Sequence, residues 1–552
     1  MNTQIFSLLL LSIVCAGVLG HQADPPNVGK TDLDEYVWRP DDHYGWTDMG
    51  EDYVIKGKNI IHRSEGWTGY LVNMTSQQWL TPETFSNTSD SGSVWWHMLM
   101  IIVPDNIKYK NNGSLYITGC DMHYTPDKKS EDIKVAASLA TSTGVVTGAL
   151  FQIPDEKVTF VDDPIQKSRG EDAIIAYTWS HFLNNTEDSE WLLRFPMVKA
   201  SLRAMDTITD FMKQRFPDEN TDLQYYTVAG ASKRGWTTWD VGAVDPTRVV
   251  GIIPIVLDAI NFVQVMHHQY ASYNGWSWAL SDYTDMNVMA KLDSPEMKKL
   301  AQLVDPFYYR DRLTMPKLVV NAALDEFQQP DDTRYWWDDM PEPKHFIMTP
   351  NAEHSEATGI FEIVPAIAAW VNQQLESKPV PEFHWTIDES GEITATLDDE
   401  GYVKEARVWY AYSCGNNADG IKRRDFRIIN MDEPCHCGIT AQGKCMNLKS
   451  FWTPKKLKEE KVNGKRTYKA KIDAPDDGRW VAYFIDIVYA KDRKDSLIKF
   501  DWEKIPGFIP RDLAHRMQFT TEVSVFPQTF PYPGCGINEG VDTGIPCTTN
   551  LV

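Results

Sequence analysis

The pattern of apolar and polar positions changes character near residue 380. Upstream of it, short apolar runs alternate with longer segments whose apolar residues recur at helical spacing. The runs at 95–103, 114–119, 145–153, 223–229, 249–257, 317–323 and 345–348 read as strands, and the segments at 131–141, 172–183, 197–216 and 360–374 as helices. This alternation predicts an α/β fold: a mostly parallel sheet with helices on both faces and reactive side chains past the carboxyl ends of the strands. Downstream, period-two alternation marks strands at 406–412, 480–489 and 517–525, and Asn463-Gly464 reads as a hairpin turn inside the basic stretch 455–471. Pro379 and Pro381 place a linker at 377–381. The expected organisation is a signal peptide at 1–20, an N-terminal extension at 21–60, an α/β domain at 61–376 and a β-sandwich-like domain at 380–552.

Residues 5–19 are apolar over about the length of a signal h-region and too few to span a bilayer. Small residues at Val18 and Gly20 place cleavage before His21; the alternative reading of the run is a buried strand or helix. No other run reaches the length of a membrane span, so the chain is expected to be secreted, extracellular and without stable membrane insertion. Two features agree with export. Sequons stand at Asn73, Asn87, Asn112 and Asn184, candidates for glycosylation. Of the cysteines, Cys15 leaves with the signal, while Cys414, Cys435, Cys437, Cys445, Cys535 and Cys547 cluster late in the chain and read as disulfides. Two bridges are expected among the first four, and a third between Cys535 and Cys547. Cys435-His436-Cys437 with Cys445 fits no standard zinc spacing, and no metal or cofactor is expected. Cys120 is the odd cysteine, expected as a buried thiol at a strand end.

Charge narrows the partners. Lys and Arg number 54 against 77 Asp and Glu, a net charge of −23. That balance argues against nucleic acid or an anionic membrane as the main partner.

The segment Tyr226-Thr227-Val228-Ala229-Gly230-Ala231-Ser232-Lys233-Arg234-Gly235-Trp236 carries the chemistry. A strand runs into Gly-x-Ser and straight into a helix, the layout of a nucleophile elbow, in which a tight turn lifts the hydroxyl above the sheet. The common pattern has glycine two places after the serine; here Arg234 stands there and Gly235 follows. A merely structural serine between strand and helix is the competing reading. Two later segments weigh against it. Strand 318–324 ends in Asp325, and strand 346–348 leads into a loop bearing His354, so the chain order is Ser232, Asp325, His354. A serine hydroxyl attacks at neutral pH only when a histidine takes its proton, and a carboxylate fixes that histidine's tautomer. Asp258 is the reserve acid, followed by Glu326, Asp331 and Asp332.

At these residues the chain resembles the PhoPQ-activated pathogenicity-related proteins, a family that includes a secreted autocrine proliferation repressor type. The resemblance rests on Gly230-Ala231-Ser232-Lys233-Arg234-Gly235-Trp236, on Asp325-Glu326-Phe327 with Pro330-Asp331-Asp332, on Pro350-Asn351-Ala352-Glu353-His354, and on Leu33-Asp34-Glu35-Tyr36-Val37 with Pro40-Asp41-Asp42. It implies an α/β-hydrolase core, a β-rich C-terminal module, a hydrolase resembling dipeptidyl peptidases, and an extracellular growth-restraining role. A second small residue is expected after Thr118-Gly119, and Cys120 stands there instead.

The oxyanion donors expected are the Lys233 N–H and an N–H near Cys120-Asp121. The Lys233 and Arg234 side chains either assist there or pair with acids. Residues 261–315 are long enough for a helical cap; Trp276, Trp278 and Tyr283 in it either shape a pocket or pack a core, and His267 and His268 read as a satisfied pair rather than metal ligands. Two function classes remain. One is a secreted serine hydrolase acting on a peptide or ester. The other is a non-catalytic signalling protein on the same scaffold, with a cell-surface receptor as partner.

Overall fold

A computed structural model describes residues 29–58, 65–398, 403–415, 423–431, 435, 438–441, 443–489, 517–538 and 540–552. The signal-like segment 1–20 and Cys437 lie outside the described residues.

The apolar runs become the centre of a ten-stranded sheet. Its strands are β1 Gly45–Asp48, β2 Ile55–Lys58, β3 Gly66–Gln78, β4 Val94–Pro104, β5 Asn112–Ile117, β6 Val146–Leu150, β7 Tyr225–Ala231, β8 Val249–Ile255, β9 Lys317–Ala322 and β10 Lys344–Thr349. They lie in the order β1-β3-β4-β6-β5-β7-β8-β9-β10, with β2 also on β3. Every pair from β6 to β10 is parallel, and β1, β2, β3 and β4 join antiparallel. Helices are α1 Asp32–Trp38, α2 Glu131–Thr143, α3 Asp172–Asn184, α4 Arg194–Arg215, α5 Lys233–Val244, α6 Phe262–Tyr273, α7 Ser281–Asp285, α8 Pro295–Val304 and α9 Ile360–Leu375. The fold is an α/β-hydrolase sheet with a helical segment, α6 to α8, inserted between β8 and β9.

The central strands read as continuous apolar runs because both faces are covered. Successive side chains point to opposite faces. Val228, Ile252 and Val319 enter the core shared with α4 and α5, while Ala229, Ile253, Leu318 and Val320 enter the one shared with α9.

Strand β3 carries no such run, and the apolar pattern does not predict it. Its polar residues are buried by partners distant in the chain. Gln77 Oε1 accepts from Tyr36 Oη at 3.0 Å, its amide donates to the Pro196 carbonyl at 2.8 Å, and Ser76 Oγ lies 2.8 Å from His97 Nε2. Satisfied in this way, a buried polar group loses most of its desolvation cost.

Beyond residue 380 the described strands form antiparallel sheets of their own. One joins Phe383–Ile387, Ile393–Leu397, Lys465–Ala470 and Glu460–Val462; another joins Thr453–Lys456, Val403–Tyr412, Val481–Tyr489, Met517–Thr520 and Ser524–Phe526; two small ones join Ile429–Asn430, Lys444–Asn447 and Gly438–Ala441, and Ile537–Asn538 with Val541–Asp542. Asn463 and Gly464 turn the hairpin with φ of 52° and 80°, both positive as a type I′ turn requires. Val481–Tyr489 is buried along its whole length rather than on alternate residues. Val481, Tyr483 and Ile485 face the sheet of Phe383–Ile387, Ile393–Leu397 and Lys465–Ala470, whereas Ala482 and Phe484 join the core of the α/β part.

Disulfides join Cys435 to Cys445 and Cys535 to Cys547; Cys414 is also disulfide-bonded, and Cys120 is a free thiol. No helix among the described residues is long and apolar enough to cross a membrane. Asn87 and Asn184 stand exposed, whereas Asn73 and Asn112 are half-buried in β3 and β5.

The two parts are tied by a buried ion pair. Arg424 donates to both carboxylate oxygens of Asp331, at 2.9 and 2.5 Å, and to His268 Nε2 at 2.9 Å. Removing one partner strands the other in a low-dielectric site. Arg424→Met is therefore expected to lower unfolding stability by roughly 3–5 kcal/mol, read as a fall in the urea midpoint.

Candidate active site

Strand β7 ends at Ala231 and helix α5 begins at Lys233, so Ser232 alone makes the connection. Its φ of 57° lies in the left-handed region, a conformation that costs a non-glycine residue of order 1–3 kcal/mol. Close packing imposes it. The Ser232 N–H donates to the Ile255 carbonyl at 2.8 Å, and the Trp236 N–H to the Ser232 carbonyl at 3.0 Å. A Cβ at Gly230 would stand 2.6 Å from the Arg234 carbonyl oxygen, and one at Gly235 would stand 2.7 Å from that of Ile255. The displaced glycine thus has a reason: α5 touches β8 at Gly235, while Arg234 points aside to Glu171 and the Ile153 carbonyl, at 2.5 Å each.

Asp325 and His354 follow β9 and β10 and converge on the serine. His354 Nε2 lies 2.7 Å from Ser232 Oγ, and His354 Nδ1 lies 2.7 Å from Asp325 Oδ2. An ionised carboxylate only accepts, so Nδ1 carries the proton and Nε2 is left to accept from the serine hydroxyl. The other Asp325 oxygen accepts the N–H groups of Phe327 and Gln328 at 2.7 and 3.2 Å. The Phe327 ring lies 4.4 Å from the imidazole, and Glu326 accepts the His354 backbone N–H at 3.0 Å. Burial works against a charge on His354, but the Asp325 carboxylate outweighs it and raises the imidazole above its ordinary value of 6.5.

Three of the four reserve acids are occupied elsewhere, and Glu326 meets the His354 backbone N–H. Asp258 accepts from Trp336 Nε1 at 2.7 Å, Asp331 holds Arg424, and Asp332 lies 2.6 Å from His268 Nδ1. His267 Nε2 lies 2.8 Å from Asp293. Among the described residues, one group of metal-ligating side chains meets, His267 with Cys535 and Cys547, but the two cysteines share a disulfide.

The loop after β5 carries Cys120 and Asp121. Residues 150–156 pin it, through Ile153 N–H to the Thr118 carbonyl and Met122 N–H to the Glu156 carbonyl, each 3.2 Å. Cys120 has φ 118°, and burial pushes its thiol up to about 11. Lys233 opens α5, where first-turn N–H groups have no partner within the helix. The Lys233 side chain pairs with acids: Nζ lies 2.7 Å from Glu171 Oε2 and 2.9 Å from Asp172 Oδ2. Burial opposes a charge on Glu171, but Arg234 and Lys233 hold its carboxyl well below the carboxylate range.

A cavity of about 80 Å³ opens at Ser232 and His354. Trp236, Phe262, Met266, Tyr283 and Met289 line it, and so does Lys233; Cys120, Asp121, Trp276 and Trp278 do not. Trp276 is packed in the core. A second cavity, about 640 Å³, lies between β10 and the C-terminal strands and does not reach Ser232.

A sequence profile of the PhoPQ-activated pathogenicity-related proteins matches residues 33–427. The chain belongs to this family. Autocrine proliferation repressor protein A of Dictyostelium discoideum is 34% identical over 547 residues, covering 97% of this chain and 96% of that protein. Among solved structures, acetyl xylan esterase 1 from Thermoanaerobacterium sp. is similar with a TM-score of 0.38 at 13% identity, over 60% of this chain and 91% of its own. The acetyl xylan esterase from Paenibacillus sp. R4 has a TM-score of 0.38 at 12% identity, over 62% and 96%.

In this member of the PhoPQ-related family, sequence reasoning missed Glu171, Asp172 and Arg194. Arg194 donates to the Lys233 carbonyl at 2.5 Å and to Thr237 Oγ1 at 2.9 Å. The acid pair opening a predicted helix was the available signal, but nothing in spacing links it to Ser232.

An NMR titration of the His354 ring is expected to give a pKa above 6.5. In Asp325→Asn the stabilising negative charge is gone while burial remains, so the value is expected to fall below that of the unaltered protein.

Proposed function

We propose that the protein is a secreted serine hydrolase, an esterase or peptidase, in which Ser232 is the nucleophile, His354 its general base and Asp325 the orienting acid. One observation carries this reading: His354 bridges Ser232 and Asp325 with two 2.7 Å contacts, at a serine held at φ 57° between strand and helix. Ser232 Oγ attacks the substrate carbonyl as His354 Nε2 takes its proton. The oxyanion faces the Lys233 N–H and a second donor from the Gly119-Cys120-Asp121 loop. His354 then protonates the leaving group, and water, deprotonated by the same nitrogen, releases the acid. Export is supported by the apolar segment 5–19, the sequons and the disulfides. A dipeptidyl-peptidase-like specificity belongs to this reading as its narrower form.

A second reading is favoured by the name of the Dictyostelium relative, an autocrine proliferation repressor. The protein would then be a non-catalytic extracellular growth-restraining signal acting through a cell-surface receptor.

Labelling with a fluorophosphonate probe separates the two. The unaltered chain is expected to label and Ser232→Ala to stay unlabelled, with turnover falling by on the order of 10⁶ for Ser232→Ala and roughly 10⁴ for Asp325→Asn. His354 must be neutral to accept a proton, so kcat/KM should fall as pH drops through its raised pKa, giving an acid limb centred above 6.5. Absence of Ser232-dependent labelling would remove the enzyme reading and leave the signal.

A further inference from the structure

Resting on the hydrolase reading above, we propose that the cavity at Ser232 takes, as the acyl chain of an ester or the side chain next to the scissile bond of a peptide, a compact, uncharged apolar group of about three heavy atoms. The cavity at Ser232 has walls of two origins. Trp236 and Leu257 come from α5 and the end of β8, and Phe262, Met266, Tyr283 and Met289 from the inserted segment that roofs it. Such walls favour apolar groups through area removed from water. Size follows from volume. The cavity holds about 80 Å³, and a cavity of about 150 Å³ takes benzene with its six heavy atoms, so about three heavy atoms fill it.

The polar rim selects against charge. Lys233 Nζ is held by Glu171 and Asp172 at 2.7 and 2.9 Å, and Tyr283 Oη donates to Asp172 at 3.0 Å. Arg194, also on the lining, is engaged by the Lys233 carbonyl and Thr237. A charged substrate group would have to displace one of these buried partners, whereas an apolar one leaves them in place.

The pocket fits the acyl side because of the order of events. When the Ser232 Oγ–carbon bond forms and the ester C–O or amide C–N bond breaks, the Ser232 proton passes through His354 to the departing oxygen or nitrogen. That group must leave and water must enter, while the acyl group stays bonded to Oγ. Water oxygen then bonds to the acyl carbon, and its proton returns through His354 to Ser232 as the acid is released. A pocket that opens at Oγ beneath the inserted segment suits the group that stays through both halves.

The test uses the full chain and p-nitrophenyl esters of straight-chain acids from acetate to palmitate, with Ser232→Ala as the blank. The expected kcat/KM rises about fourfold per methylene at first. It should peak at about three to five acyl carbons and fall at least about tenfold by dodecanoate. A Met289→Ala chain that still reacts with the fluorophosphonate probe is expected to shift the peak to acids about two to three carbons longer, the wall having lost its thioether arm. The wild-type series decides whether or not that variant folds. Ser232-dependent turnover that is flat with chain length, or climbs to palmitate, overturns the compact pocket and leaves the hydrolase reading standing. No Ser232-dependent turnover or labelling overturns both.

Discussion

The turn at Ser232 is the constraint around which the site is arranged. A parallel strand and a helix join through one residue with φ 57°, and such a joint survives only where its surroundings over-determine it. Here they do so by backbone contact. Ser232 N–H is bonded to β8, and glycines at 230 and 235 let α5 lie directly on β7 and β8. The strain and the close approach have one cause, which is that no intervening loop exists to relax either. The hydroxyl is consequently presented at the carboxyl edge of the sheet, where β9 and β10 deliver an acid and a histidine.

Electrostatics secures the same turn from the other side. The first turn of α5 carries Lys233 and Arg234, cations where the helix dipole favours anions. Glu171 and Asp172, opening α3, answer them at 2.5 to 2.9 Å. Glu156 donates nothing to this balance as a charge: burial, and next the neighbouring Glu171, push it up to about 8. It accepts the Glu171 N–H instead, at 2.5 Å. The cluster therefore stabilises a charged pair against a neutral acid, and the wall beside Ser232 is nearly self-compensated.

This division explains what was legible in the sequence. Strands β7 to β10 announce themselves because both faces are apolar, and Ser232, Asp325 and His354 stand within five residues of the ends of β7, β9 and β10. Ser232, Asp325 and His354 could be read from position alone. Strand β3 could not, since Ser76 and Gln77 are made acceptable inside by His97, Tyr36 and Pro196. Nor could the partners of Lys233, because an ion pair between residues some sixty positions apart leaves no local period. The Asn463-Gly464 turn was legible for the opposite reason, that two positive φ values select their residues locally. The strand expected at 480–489 is present as Val481–Tyr489, but it is buried on both faces rather than on alternate residues.

The C-terminal part reaches the chemistry through that dry face. Trp452 lies between the loops that carry Asp325 and His354. Its indole N–H donates to the Ala323 carbonyl at 3.3 Å, two residues before Asp325. Its backbone is clasped by Asn351, three residues before His354, through bonds of 2.7 and 3.0 Å. Thr520 Oγ1 accepts the Met348 N–H at 2.9 Å, bracing the end of β10. The inserted segment is tied in the same way, by Arg427 to Ser277 at 3.0 Å and by backbone bonds of 2.8 Å joining Trp276 to Asn550 and Val552. The loop bearing Asp325 is thus buried, and the approach to His354 is fastened to the C-terminal part at Asn351. The proposed relay, which depends on two 2.7 Å contacts, would tolerate little looseness, since displacement by about 1 Å can cost on the order of a hundredfold in rate. The β-rich module acts on the site as a splint, and its union with the sheet is as much a requirement of the geometry as the elbow itself.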